Sequence, residues 1–293
     1  MLCKPLTLLP SFLTQVDDST DVMKMYDQTV QSILDQKPNT IVVIQTDMGV
    51  HADGMNFVIP EDGIYCVGDV TFAADLELGR QMQMSLEQHD RKSNLIHETQ
   101  LLTSLEVFLL KIQKNCPEMP TVLVVGSSLQ SAEEHYKLGS LIRRAIDADT
   151  NSVAIVALGH LSSQLEEGSV FGYSRFGKEY NEEYLKYFTE GKLENFLYID
   201  PFLLDEVAET LYKPSAMLLG LLGSLDNKVK VDVKEFEEEG VGYVVGSVGG
   251  ERKDGGGLRR LQRLRGLYKC RRESKFSVVS YYFLSFRGRA LLG

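Results

Sequence analysis

Apolar residues run through this chain in short continuous blocks, bounded by turn residues: "TIVVI" (40–44), "TVLVV" (121–125) and "SVAIVAL" (152–158). Blocks of that length, without alternation, predict strands buried on both faces, as in a parallel sheet. Between them the period changes. In "TDVMKMYDQTVQSILDQ" (20–36), Val22, Met25, Val30, Ile33 and Leu34 recur at helical spacing. In "SAEEHYKLGSLIRRAIDA" (131–148), Tyr136, Leu138, Leu141, Ile142 and Ile146 do the same, and Ser131 with Glu134 reads as a capping box. Strands alternating with helices predict an α/β fold with a mostly parallel central sheet.

Further on, the segment from Gly177 to Leu225 predicts three or four short helices broken at Gly191, Pro201 and Pro214. Two strands, "KVKVDVKEF" and "VGYVVGSV", follow around the acidic turn Glu237 to Gly240. The last stretch, 249–293, differs from everything before it: a glycine cluster, then an arginine-rich segment, then an apolar aromatic run. It reads either as a linker with a basic amphipathic segment or as out-of-frame or truncated sequence; residues 1–248 read as a single domain.

Composition narrows the function. From Glu251 onward there are 12 Lys or Arg against 3 acids, leaving 19 basic and 38 acidic residues in the preceding body. Such a body repels a nucleic-acid backbone, so no nucleic-acid partner is expected. No run of about 18 apolar residues occurs and the opening residues lack a cleavage-site pattern, so no membrane partner is expected and a cytoplasmic location is. The four cysteines, Cys3, Cys66, Cys116 and Cys270, form no CxxC pair and read as structural thiols.

Polar residues just past a buried strand hold the first claim on chemistry, because ligands of open α/β sheets gather at the carboxyl ends of strands. Asp47 and His51 follow the first strand and His160 follows the third. With His97 and Glu209 they could converge on a metal, although there is no HExxH or His-x-His pair to fix the geometry. His89 and His135, each inside a charged segment, read as solvated. Gly126, Ser127 and Ser128 read as a tight turn with serine capping in preference to an anion cradle.

Several phrases, in order, resemble the class III extradiol ring-cleavage dioxygenase family of LigB type, close to its AmmeMemoRadiSam- and MEMO-linked members. They are "KPNTIVVIQTDMGVHADGMNF", then "SVAIVALGHLSSQLEEGSVFGYSRFGKEY" with "LYIDPFLLDEVAE", then "LLGLLGSLDNKVKVDVKEFEEEGVGYVVGSV". The resemblance implies a LigB-like domain over 1–248, a non-haem Fe(II) centre held by two histidines and a carboxylate, and a small aromatic diol opened by dioxygen. A homo-oligomer is an open possibility.

Carried over position by position, the implied site is altered. The family's first histidine falls at Ser11, its second at Asp47, and the histidine of its "GDLSH" motif at Ser163, while that motif's aspartate falls at His160. His97 and Glu209 match family residues. The resemblance thus implies His97 and His160 as catalytic and Asp47, His51 and Glu209 as metal ligands. One outcome is the fold without oxygenase chemistry, a binding or scaffold protein of MEMO-like type. The other is a rebuilt, oxygen-rich site better suited to Mg or Mn than to iron.

Overall fold

A computed structural model describes residues 6–12, 17–46, 53–97, 102–116, 118–190, 193–223 and 230–249. The strands are β1 (Leu6–Pro10), β2 (Thr40–Gln45), β3 (Met55–Val58), β4 (Ile64–Val67), β5 (Val70–Ala73), β6 (Ser93–Ile96), β7 (Thr121–Gly126), β8 (Val153–Gly159), β9 (Lys230–Glu238) and β10 (Val241–Gly249). The helices are α1 (Asp21–Leu34), α2 (Leu76–Glu87), α3 (Thr103–Asn115), α4 (Ala132–Ala148), α5 (Gly177–Thr189), α6 (Leu193–Phe196), α7 (Pro201–Asp205) and α8 (Tyr212–Leu222).

Eight strands form one sheet in the order β6-β3-β7-β2-β8-β1-β10-β9, and β4 with β5 forms a separate hairpin. The four central strands, β7, β2, β8 and β1, are mutually parallel. The β9–β10 hairpin closes one side antiparallel to β1, and β3 joins the other side antiparallel to β7. This is the predicted α/β architecture with a largely parallel centre.

The apolar blocks became strands because both their faces are covered. Ile41, Val43, Val122, Val124 and Val156 turn to a core shared with α1 and α3, where Val22, Tyr26, Val30, Phe108 and Ile112 pack. Their alternates, among them Val42, Ile44, Leu123 and Ile155, are fully or almost fully buried on the face that carries α2, α4 and α8. The predicted Ser131 cap forms, and Thr20 caps α1 as well. Thr20 accepts from the Met23 N–H ahead of α1, and Ser131 accepts from the Glu134 N–H ahead of α4.

The helices are separate at the two prolines, as expected, and each proline stands in the first turn of the helix that follows the break. Pro201 takes the first position of α7 after the Asp200 cap, and Pro214 lies in the first turn of α8, where no intrahelical N–H is needed. Helix α8 has ten of its eleven residues buried. It lies against α4 where Gly139 and Gly220 face each other's backbones: a Cβ on Gly139 would collide with the Met217 carbonyl oxygen, and one on Gly220 with that of Tyr136. No helix among the described residues is long and apolar enough to cross a membrane. The 249–293 segment, apart from Gly249 at the end of β10, lies outside the described residues.

Candidate functional site

The register brings the ends of the central strands to one edge. Pro10 pairs with Gly159, Ile44 with Ala157, and Gln45 with Gly126. Ser11, Thr46, Ser127 and His160 therefore leave the sheet side by side, and the backbone continues the pairing: Ser11 N–H donates to Gly159 O at 2.9 Å and Ser127 N–H to Gln45 O at 2.9 Å.

The segment ahead of α8 is stitched across these ends. Thr210 and Leu211 each donate a backbone N–H to His160 O at 3.1 Å, and the His160 N–H donates to Thr210 Oγ1 at 3.0 Å. Thr46 Oγ1 donates to Thr210 O at 2.7 Å, and Ser127 Oγ donates to Thr46 Oγ1 at 3.2 Å. Above the strand ends lies a cavity of about 210 Å³. Its polar lining comes from Ser11, Gln45, Thr46, Thr103, Ser104, His160 and Thr210, and its apolar lining from Phe12, Leu102 and Leu158.

His160 is 1% exposed, and its Nδ1 lies 2.8 Å from Leu161 O. A carbonyl only accepts, so Nδ1 carries the proton and Nε2 is left as an acceptor. Burial pushes its pKa down to about 4, so the ring is neutral near pH 7.

Glu209 turns to the start of α8, where its Oε2 accepts the Tyr212 N–H at 2.6 Å; Thr210, its neighbour, lines the cavity instead. Burial raises the Glu209 carboxyl to about pH 7, against the opposing pull of the Tyr212 N–H and the Lys213 charge. Ser163 is fully buried and its hydroxyl donates to Ala208 O at 2.7 Å.

His97 stands elsewhere. It follows β6, which runs parallel to β3 and so opposite to β7; its Nδ1 donates to Ile59 O at 3.0 Å, just past the pairing of Val58 with Val124 in the middle of β7. The structure thus brings His160 to the cavity and Glu209 beside it, and does not bring His97 there. Asp47 and His51 lie outside the described residues.

His135, expected on a solvated face, is fully buried instead. Its Nδ1 donates to Ser131 O at 2.9 Å and its Nε2 accepts the Ser128 N–H at 3.0 Å, while Lys213 Nζ donates to Ser128 O at 2.9 Å. Burial drives its pKa down to about 4. The Ser128 N–H is therefore already engaged, and the turn after β7 is held by the imidazole, consistent with a structural turn. His89 is exposed as expected and lies 2.6 Å from Arg144 Nη1.

An iron centre with two imidazoles and a carboxylate does not fit the described donors. At the family's histidine positions stand Ser11, whose hydroxyl is a poor ligand for Fe(II), and Ser163, whose hydroxyl is committed to a carbonyl. Among the described residues no group of three or more His, Cys, Asp or Glu converges. Gln45 is among the cavity residues that the sequence does not single out, with Thr46, Thr103, Ser104 and Thr210. The signal for it was a polar side chain inside the register of a buried strand, where an amide needs partners.

Comparison with known proteins agrees with the fold. Protein CA_C1420 of Clostridium acetobutylicum is 27% identical over 170 residues, which is 57% of this chain and 36% of the relative, so the chain spans about a third of that protein's length. The crystal structure of the uncharacterized protein JW3007 from Escherichia coli K12 superposes with a TM-score of 0.58 at 17% identity, covering 83% of this chain and 98% of the other. The family model described as the catalytic LigB subunit of aromatic ring-opening dioxygenase matches residues 6–248. With that match over most of its length, the chain belongs to the LigB family of aromatic ring-opening dioxygenase subunits.

Proposed function

We propose that this chain is a LigB-fold protein with a degenerate metal site, which binds a small molecule at the strand ends without opening an aromatic ring. The observation that carries this reading is the donor set of the described residues at the cavity: hydroxyls, an amide and a neutral imidazole stand where the resemblance would lead one to expect imidazole ligands to iron. Such a lining orients a ligand through hydrogen bonds but offers no strong Lewis acid of its own. The binding role fits the MEMO-like side of the resemblance.

The test is metal analysis and calorimetry on anaerobically purified protein, followed by a catechol panel read for the yellow ring-opened product. The expected result is sub-stoichiometric iron and no yellow product on any catechol. One iron per chain, lost in Glu209→Ala, together with ring-opened product would replace this reading with an oxygenase whose site is rebuilt from Asp47, His51, His160 and Glu209.

A further inference from the structure

Gln45 closes β2 and is 2% exposed, yet neither its Oε1 nor its Nε2 makes a hydrogen bond among the described residues. The fold does not treat its other buried amide at this sheet that way. Asn56, fully buried in β3, donates to Ser127 O at 3.1 Å and accepts from Asn94 Nδ2 at 2.9 Å. Leaving a buried donor and acceptor unmatched is costly and rare in folded proteins. Gln45 is also a wall of the cavity, so an incoming molecule could supply the missing partners.

The lining restricts what that molecule is. A carboxamide presents an N–H donor and a C=O acceptor side by side in one plane, and its best complement is another amide edge, which returns both bonds at once. His160 adds a lone acceptor at Nε2 for a further N–H or O–H. No Lys, Arg, Asp or Glu lines the cavity among the described residues, so the described wall offers a charged ligand no counter-charge. A carboxylate would in addition set acceptor against acceptor at Oε1.

Phe12, Leu102 and Leu158 give the ring of a ligand apolar walls, and a volume of about 210 Å³ lies below the usual range for drug-sized ligands, which suits a single ring. A catechol can reach the same two atoms only by giving up the contact between its own hydroxyls, whereas an amide edge is fixed by its plane.

We propose that the cavity takes a small neutral planar molecule with an amide edge, a single-ring carboxamide or lactam, paired through its N–H and C=O with Oε1 and Nε2 of Gln45. This specifies the ligand of the binding role proposed above and rests on it. The Gln45 amide atoms are closed off from solvent, so entry includes a turn of that side chain towards the cavity. No hydrogen bond to a described residue is broken in the turn, because none is made beforehand.

The experiment is calorimetric titration of the full chain, in chelator-treated buffer, with benzamide, 2-pyridone, N,N-dimethylbenzamide, benzoate and catechol. Benzamide or 2-pyridone is expected to bind one to one, with benzoate and N,N-dimethylbenzamide weaker by at least about tenfold, since each lacks the donor that Oε1 requires. Gln45→Met is expected to lose at least about tenfold in affinity for the amide that binds. The comparison of benzamide with its dimethyl analogue uses the wild-type chain alone, so it decides the matter even where a variant fails to fold.

Silence from both amides, catechol binding in their place, or unchanged affinity in Gln45→Met each overturns the amide-edge assignment while leaving a metal-free binding role standing. Stoichiometric iron with ring opening overturns the binding role itself, which separates the two failures.

Discussion

Replacing Gln45 by methionine tests the unpaired amide without any ligand. Methionine keeps the unbranched length of glutamine and removes both polar atoms, so the strand and its neighbours Gly126 and Leu158 meet a side chain of similar shape. In the free protein the two atoms of Gln45 are buried without partners among the described residues, and a buried unmatched polar group costs about 1–3 kcal/mol. Since both atoms belong to one amide, their cost is counted once, and the substitution is expected to stabilise the chain by about 1–3 kcal/mol. For a domain of this size each kcal/mol moves the melting temperature by roughly 2–4 °C, which makes the gain easy to read. Urea unfolding followed by circular dichroism is the assay: the midpoint should rise while the denaturant dependence stays unchanged. A loss of about 1 kcal/mol or more would refute the reasoning, because it would mean that the amide is paired in the free protein. The amide-edge assignment would then lose its premise.

Three other outcomes follow from the fold. Gly220→Ala should destabilise by about 1–3 kcal/mol or more, since its new methyl collides with the Tyr136 carbonyl and forces α8 off α4; a neutral result in chemical unfolding would contradict the close contact. Tyr65→Phe should cost on the order of 1 kcal/mol in the same assay, because the buried hydroxyl donates to Val58 O at 2.6 Å and its loss leaves that carbonyl unpaired next to β7. His135 is held neutral in the fold with its pKa near 4, against about 6.5 unfolded, so its contribution is full above pH 6.5 and is lost as pH falls through 4. The wild type should therefore lose stability relative to His135→Gln by roughly 3 kcal/mol between pH 7 and pH 4, and parallel pH curves for the two would rule out a buried neutral ring.

Much of the architecture was legible because the central strands are buried on both faces. Ile41 to Ile44, Val122 to Val125 and Val153 to Leu158 carry no polar residue to interrupt the pattern, and the helices α1 and α4 announce themselves by periodicity, α4 by its cap as well. The side strands were not legible. In β3 and β6, Asn56 and Asn94 hold each other through their amides, a pairing that exists only after the strands meet and leaves no period in either segment. His135 was misread because its charged neighbours in sequence hid its place on the buried stripe with Leu138, Ile142 and Ile146, one helical face of α4. At the site, the position of His160 beyond a strand end was readable, but the lack of described partners for the Gln45 amide emerges only from the three-dimensional packing of the strand ends. The remoteness of His97 likewise follows from β3 and β6 running against the central strands.

The burial of α8 bears on whatever enters the cavity. A helix enclosed along ten of its eleven residues, and locked to α4 through facing glycines, belongs to the part of the fold expected to exchange its amide hydrogens most slowly. Thr210, tied to Thr46 and His160 at its base, is thereby part of a wall that is already in place before any encounter. Association then carries no penalty for assembling that part of the wall. Within the described wall, what remains to move is the buried Gln45 side chain.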